Sequence, residues 1–302
     1  MLGSYVGGVY YPYRTKLGWW KNGYPEDFAK VLNATNWTAL RFRVNGMDLD
    51  VAKVHKVLDF ERVLDMRTGL LQRACELEVA PGVKVVLETE RFISMSSPNR
   101  AAVRVRLTPK EGVDAIEVIP LLDGGISNED TNWDDAFWRH DHQASDEAQG
   151  TSALLNTTQK TEFTVGTAQA LLCEGADWKA VQGEKWVGLH ADLAPSRAVE
   201  VTKFVGLVSS LHVSASECEE QAIREAVEGR EMGYERMRSE HASAWSEIWA
   251  LGDIEIEGDV EAQQAIRFNI FHLNQTYRGD DARLNVGPKG FTGEKYGGAS
   301  YW

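Results

Sequence analysis

Cysteine is scarce in this chain. Its 302 residues include three, Cys75, Cys173 and Cys218. They are odd in number, widely spaced and without a CxxC pair, which argues against a disulfide framework or a zinc site and suits reduced thiols. No apolar run approaches the roughly 20 residues that a membrane helix requires. The opening stretch lacks a basic segment followed by an apolar one, so it does not read as a signal peptide, and a cytoplasmic location is expected. Neither GxGxxG nor GxxxxGKS/T occurs, which argues against a nucleotide site, and no GxSxG marks a serine nucleophile. Internal repeats and low-complexity tracts are also missing.

Positive charge is in short supply as well. With 32 Lys and Arg against 45 Asp and Glu, the formal charge is -13, so nucleic acid and anionic membrane surfaces are poor partners. Hydrophobic residues at 43% and charged residues at 25% are ordinary for a globular protein. The length allows one large domain plus part of another.

From about Thr38 to Val213 the sequence alternates in short runs broken by turns, the pattern of half-buried antiparallel strands. Leu40 to Val44 precedes Asn45-Gly46, Val83 to Glu88 follows Pro81-Gly82, and Ala102 to Leu107 precedes Thr108-Pro109. Further strands are expected at 115–121, 162–168, 186–193 and 199–211, with the apolar run Val205 to Val208 lying centrally. So many strands with little helix between them indicate a large antiparallel β-sandwich.

The pattern changes at Ser216, where Ser216 and Glu219 have capping-box spacing. Helix is expected over 220–250, with Gly229 and Gly233 as possible breaks. Asp253 to Glu257 alternates like a short strand, and a second helix should run to about Arg278, apolar on much of its circumference. A helix of that kind belongs inside an all-helical assembly. The expected domains are therefore residues 1–215, a β-sandwich; 216–252, a helical linker; and 253–302, the beginning of a helical domain.

Aromatic residues among polar ones are the main candidates for ligand contact. Indole faces suit the C–H faces of sugars while neighbouring amides and carboxylates bind hydroxyls. Trp19 and Trp20 lie in Gly18 to Pro25, Trp133 in Ser127 to Asp135, and Trp138 just beyond; anchoring of long loops is the alternative role for each. Glu129, Asp130, Asp134 and Asp135 could pair for glycoside cleavage or bind calcium, but they lack the spacing of a calcium loop, and a solvated acidic loop is the simpler expectation. His140 and His142 flank Asp141 while His55, His190, His212, His241 and His272 are scattered, so no metal site is assigned. The last sixteen residues, Gly287 to Trp302, carry five glycines and end in Tyr301 and Trp302, which suits close backbone approach to a ligand beside flat aromatic faces.

Residue patterns stop there, and motifs go further. Tyr5 to Asn33, Leu64 to Gly69, Glu90-Arg91-Phe92, Asn128-Glu129-Asp130 with Trp133, Arg267-Phe268-Asn269 and Gly287 to Trp302 together resemble glycoside hydrolase family 65, in its maltose phosphorylase group. The resemblance implies an N-terminal β-sandwich, a helical linker and an (α/α)6 barrel that contains the active site. It also implies inverting phosphorolysis of an α-glucoside, maltose with inorganic phosphate giving β-glucose 1-phosphate and glucose, in a homodimer. No cofactor is implied beyond phosphate as co-substrate.

In such enzymes a Trp-Asp pair holds the transferred glucose. Trp302 matches that tryptophan, with Tyr301 beside it as a second substrate contact. The general acid is a glutamate further along the barrel and the phosphate ligands lie later still, so no catalytic residue is expected in this chain, which should be inactive alone as the N-terminal portion of a longer enzyme. A noncatalytic carbohydrate-binding or interaction module, an inverting α-glucoside hydrolase, and a trehalose or kojibiose phosphorylase are the alternatives.

Overall fold

The computed structural model describes residues 3–14, 26–128 and 136–284. Fifteen strands and three longer helices make up the described chain, which is mainly β. Strands β5 (Lys56–Asp65), β6 (Leu70–Ala80), β7 (Val83–Ile93), β8 (Arg100–Glu111), β10 (Trp138–Asp146), β11 (Thr151–Thr158), β12 (Thr164–Cys173) and β15 (Val199–Ser209) form one sheet. Its eight strands run in the order β10-β11-β12-β15-β8-β7-β6-β5. A five-stranded sheet, β13-β14-β9-β3-β4, faces it, built from β3 (Leu40–Val44), β4 (Met47–Asp48), β9 (Ile116–Asp123), β13 (Lys179–Gln182) and β14 (Trp186–Leu193). A separate hairpin joins β1 (Tyr5–Arg14) to β2 (Asp27–Asn33).

The alternation explains the packing. Cys75, Leu77, Leu87, Val103, Val105, Val201 and Val205 from the large sheet meet Phe42, Val44, Val118, Val187 and Leu189 from the smaller one in a single core. Strand β15, which holds the run from Val205 to Val208, sits in the interior of the large sheet as expected. One charged side chain enters this core. Lys203 is fully buried, donates to the backbone oxygens of Leu121 at 2.6 Å and Ala39 at 3.1 Å, and so ties the two sheets together. Burial pushes its pKa far down, favouring the neutral amine.

The opposite face of the large sheet carries the helices α1 (Cys218–Met232) and α2 (Tyr234–Gly252). Small residues make α1 fit: Ala222 and Ala226 pack on Ala153, Ala168, Ala170 and Val208. Helix α2 brings Tyr234 and Met237 onto Leu70, Phe92, Ala102 and Phe204. Helix α3 (Val260–Thr276) follows and leans on α2 through Phe271, stacked on Trp245 at 4.6 Å between ring centroids.

Four local expectations are corrected. The helix-opening turn is set by Ser214 and Glu217, because the Glu217 carboxylate reaches back to the Ser214 backbone N–H at 3.2 Å, two residues before the expected Ser216 pair. Gly229 does not break α1: it is buried inside the helix, and the break falls at Gly233, whose φ of 84° is open to glycine. Asp253 to Glu257 forms no strand: the Ile256 N–H donates to Gln263 Oε1 at 2.7 Å and Gln263 Nε2 donates to the Ile254 oxygen at 2.8 Å, so a side chain of α3 takes backbone groups that a partner strand would need. The second helix ends at Thr276, two residues short of Arg278.

Candidate functional site

The strand ends near the β5–β6 turn form a platform on which α2 and residues 278–284 are fastened. The turn from Met66 to Gly69 is held by α2. Trp249 Nε1 donates to the Met66 oxygen at 3.0 Å, and His241 Nε2 lies 3.3 Å from the Gly69 oxygen. Gly69 is required here, having a φ of 67° and no space for a β-carbon against Trp245.

His241 reads this junction from both sides. The Met95 backbone N–H donates to its Nδ1 at 3.1 Å, so its proton sits on Nε2, facing Gly69. Its ring stacks on Phe92 at 4.6 Å. Burial lowers its pKa to about 4, which keeps the imidazole neutral. It is a structural pin between two turns and α2.

Beyond α3 the chain returns to the same platform. Arg278 Nη1 donates to the Met95 oxygen at 2.9 Å, and Arg283 Nη1 to the Leu211 oxygen at 2.6 Å. Asp281 orients Arg283, and the hydrogen bonds from Arg283 hold the Asp281 pKa down to about 2. Leu284 then packs over Gly8 beside Leu211. Residues 278–284 thus lie along the end of the large sheet, next to β1.

Tyr301 and Trp302 lie outside the described residues, as do Trp19, Trp20, Trp133, Glu129, Asp130, Asp134 and Asp135. Trp138 is described, and it anchors. Its Nε1 donates to the Asn33 oxygen at 2.8 Å, and its ring joins Tyr11, Tyr13, Phe28, Leu32 and Phe137 in a cluster under the β1–β2 hairpin. Asn128 is buried, accepts from Asn33 N at 2.9 Å and donates to the Val31 oxygen at 3.0 Å, and so ties the start of the acidic stretch to β2.

The histidines stay apart, with one grouping that sequence spacing did not reveal. His140 faces Asn156 and His142 faces Glu219, whereas His190 lies 3.2 Å from Glu117 and 3.8 Å from Asp192 on the outer face of the smaller sheet. The signal was the pairing of Asp192 with Glu117 across β14 and β9, which only the register supplies. Arg43 already approaches Glu117 at 3.7 Å, so a cation is provided by the chain itself. A groove of about 400 Å³ on the outer face of the large sheet also carries its own cations, Arg104 and Arg106, among its glutamates. There Arg104 holds Glu90 and Glu235 and lies 4.0 Å above the Tyr234 ring. Burial alone would raise the Glu90 pKa, but hydrogen bonds from Gln72 and Arg104 outweigh it and lower the value.

A model of the glycosyl hydrolase family 65 N-terminal domain matches residues 1–248, and one of that family's central catalytic domain matches residues 267–302. The chain belongs to glycosyl hydrolase family 65. Among curated family members, it is 38% identical to the maltose phosphorylase of Bacillus subtilis over 99% of its own length and 40% of the relative's. It is 27% identical to the α,α-trehalose phosphorylase of Thermoanaerobacter brockii over 99% of its length and 40% of that protein's. A kojibiose phosphorylase of Caldanaerobacter subterraneus is 26% identical over 99% of this chain and 39% of its own. The chain thus spans about two-fifths of the length of these relatives. A solved structure from the human microbiome, provisionally named a kojibiose phosphorylase, agrees with a TM-score of 0.85 at 23% identity, covering 99% of this chain and 39% of its own. That likeness supports the fold. Among the described residues no helix is long and apolar enough to cross a membrane.

Proposed function

We propose that this chain is part of an inverting disaccharide phosphorylase that converts maltose and inorganic phosphate into β-glucose 1-phosphate and glucose. The observation that carries the proposal is the 38% identity to a maltose phosphorylase across nearly the whole chain, against 27% and 26% for the trehalose and kojibiose enzymes. In this scheme residues 1–215 are the sandwich, 216–252 the linker, and 253–302 the opening of an (α/α)6 barrel. The exposed Phe268 and Leu273 on α3 support the last assignment, since a further helix would cover them. Tyr301 and Trp302 contact the glucose being transferred. A cytoplasmic homodimer needing no cofactor beyond the phosphate co-substrate completes the proposal.

Phosphorolysis with inversion requires one protein carboxyl group in place of the usual two. An acid protonates the leaving glycosidic oxygen while phosphate, already anionic near neutral pH, attacks the anomeric carbon from the opposite face without a general base. The contribution of the described residues is positional: Arg278 and Arg283 fix where the closing segment leaves the sandwich.

The test is turnover by the gene product containing this chain, with maltose, trehalose and kojibiose supplied in phosphate buffer. Phosphate-dependent formation of β-glucose 1-phosphate from maltose is expected. Glucose release that ignores phosphate would identify a hydrolase instead, and saturable sugar binding without any bond cleavage would identify a binding module.

A further inference from the structure

Arginines of the large sheet are well partnered on its helix-bearing face. Arg100 holds Glu225 and Glu228, and Arg104 holds Glu90 and Glu235. The face turned toward the smaller sheet is different. On it Arg62 of β5 stands directly opposite Arg73 of β6. Arg91 of β7 pairs with Leu71 while Arg73 pairs with Thr89, so Arg91 is the diagonal neighbour of Arg73. Strand alternation puts all three on the face of Cys75, Leu77 and Leu87, which lie in the inter-sheet core, whereas Leu70 and Phe92 on the other face meet α2.

Among the described residues this corner is open. Phe60 and Ile93 share the face with the arginines and are 48% and 59% exposed. Among the described residues none of the three arginines makes an ion pair or hydrogen bond, and Arg73 Nε is buried without a partner. Like charges facing each other across strands are destabilising, and a buried donor with no acceptor adds to the cost. The Arg91 pKa is lowered, first by burial and then by Arg62 and Arg73. In a chain of formal charge -13, such a concentration of unneutralised guanidinium groups marks a place where an anion belongs.

We propose that Arg62, Arg73 and Arg91 form a binding site for the phosphate group of a phosphorylated sugar. A phosphate dianion offers several acceptor oxygens to the guanidinium forks and relieves the repulsion among them. Phe60 and Ile93 flank the arginines with apolar surface suited to the C–H face of a sugar ring. The site requires no turnover, so it stands or falls separately from phosphorolysis.

Calorimetric titration of the 302-residue chain with glucose 6-phosphate, inorganic phosphate and glucose tests the inference. Glucose 6-phosphate should bind most tightly, inorganic phosphate more weakly and glucose not at this site. Arg73→Gln and Arg62→Gln should each weaken glucose 6-phosphate by about tenfold, ~1.4 kcal/mol, and Arg73→Lys by less. The unliganded Arg73→Gln chain should melt no lower than the parent, since one repelling charge is gone. Equal affinity in the parent and the Arg62→Gln/Arg73→Gln/Arg91→Gln variant would overturn the site, and equal affinity for inorganic phosphate and glucose 6-phosphate would overturn the sugar part. Variants that change sedimentation while leaving phosphate affinity untouched would assign the corner to contact between copies and refute ligand binding.

Discussion

Replacing Gly206 by alanine should loosen α1 from the sheet. An ideal β-carbon at Gly206 would lie 2.0 Å from the Ala222 backbone oxygen, 2.9 Å from the Ala226 nitrogen and 2.9 Å from Glu225 Cβ. A C···O contact settles near ~3.3 Å, so the helix must retreat by about 1.3 Å. The obstacle is main chain within a helix, so no rotamer change removes it. Ala222 and Ala226 are buried against Ala153, Ala168 and Ala170, and small side chains do not reach across a widened gap. Overpacking of this kind costs about 3 kcal/mol, equivalent to a fall of about 5–10 °C in Tm. Differential scanning calorimetry of Gly206→Ala beside Gly252→Ala provides the measurement, because a β-carbon at Gly252 meets nothing within 4 Å. A Gly206→Ala midpoint within a degree of the parent would show that α1 does not rest on the β15 backbone as described.

Two further outcomes are expected. His241 binds a proton in the unfolded chain below pH ~6.5 but in the folded one only near pH 4, so its stabilisation is present above about 6.5 and is lost as pH falls toward 4. This stabilisation amounts to about 3 kcal/mol at most; His241→Gln, which keeps a donor and an acceptor, should flatten Tm against pH across that window, and an unchanged slope would contradict a buried neutral imidazole. Trp138→Phe removes the bond to Asn33 and should lower stability by about 1 kcal/mol while leaving maltose affinity unchanged, and a selective loss of sugar binding by calorimetry would reassign Trp138 from anchor to ligand contact.

Strands were legible where one face is buried and the ends carry turn residues. Leu40 to Val44 and Trp186 to Leu193 were located to the residue. The β1–β2 hairpin was less legible as a strand pair, since its aromatic residues, Tyr11, Tyr13 and Phe28, face a local cluster with Phe137 and Trp138 instead of the sandwich core. Gly229 looked like a helix breaker because composition cannot show that Phe204 lies against it. Alternation at Asp253 suggested a strand because the pattern cannot show that the Gln263 side chain takes the Ile256 N–H and the Ile254 oxygen. The motifs carried the family, which periodicity alone did not reach. The arginine corner was invisible for a different reason: Arg62, Arg73 and Arg91 become neighbours only through the register of β5, β6 and β7.

The attachment of residues 278–284 has an evolutionary corollary. Arg278 and Arg283 grip main-chain oxygens, at Met95 and Leu211. Any amino acid at those two positions still offers its carbonyl, so the loops of the sandwich are free to drift in composition without releasing the strap. Selection need watch only the donors, and substituting either arginine would loosen residues 278–284 in a way that no change at the acceptor positions reproduces.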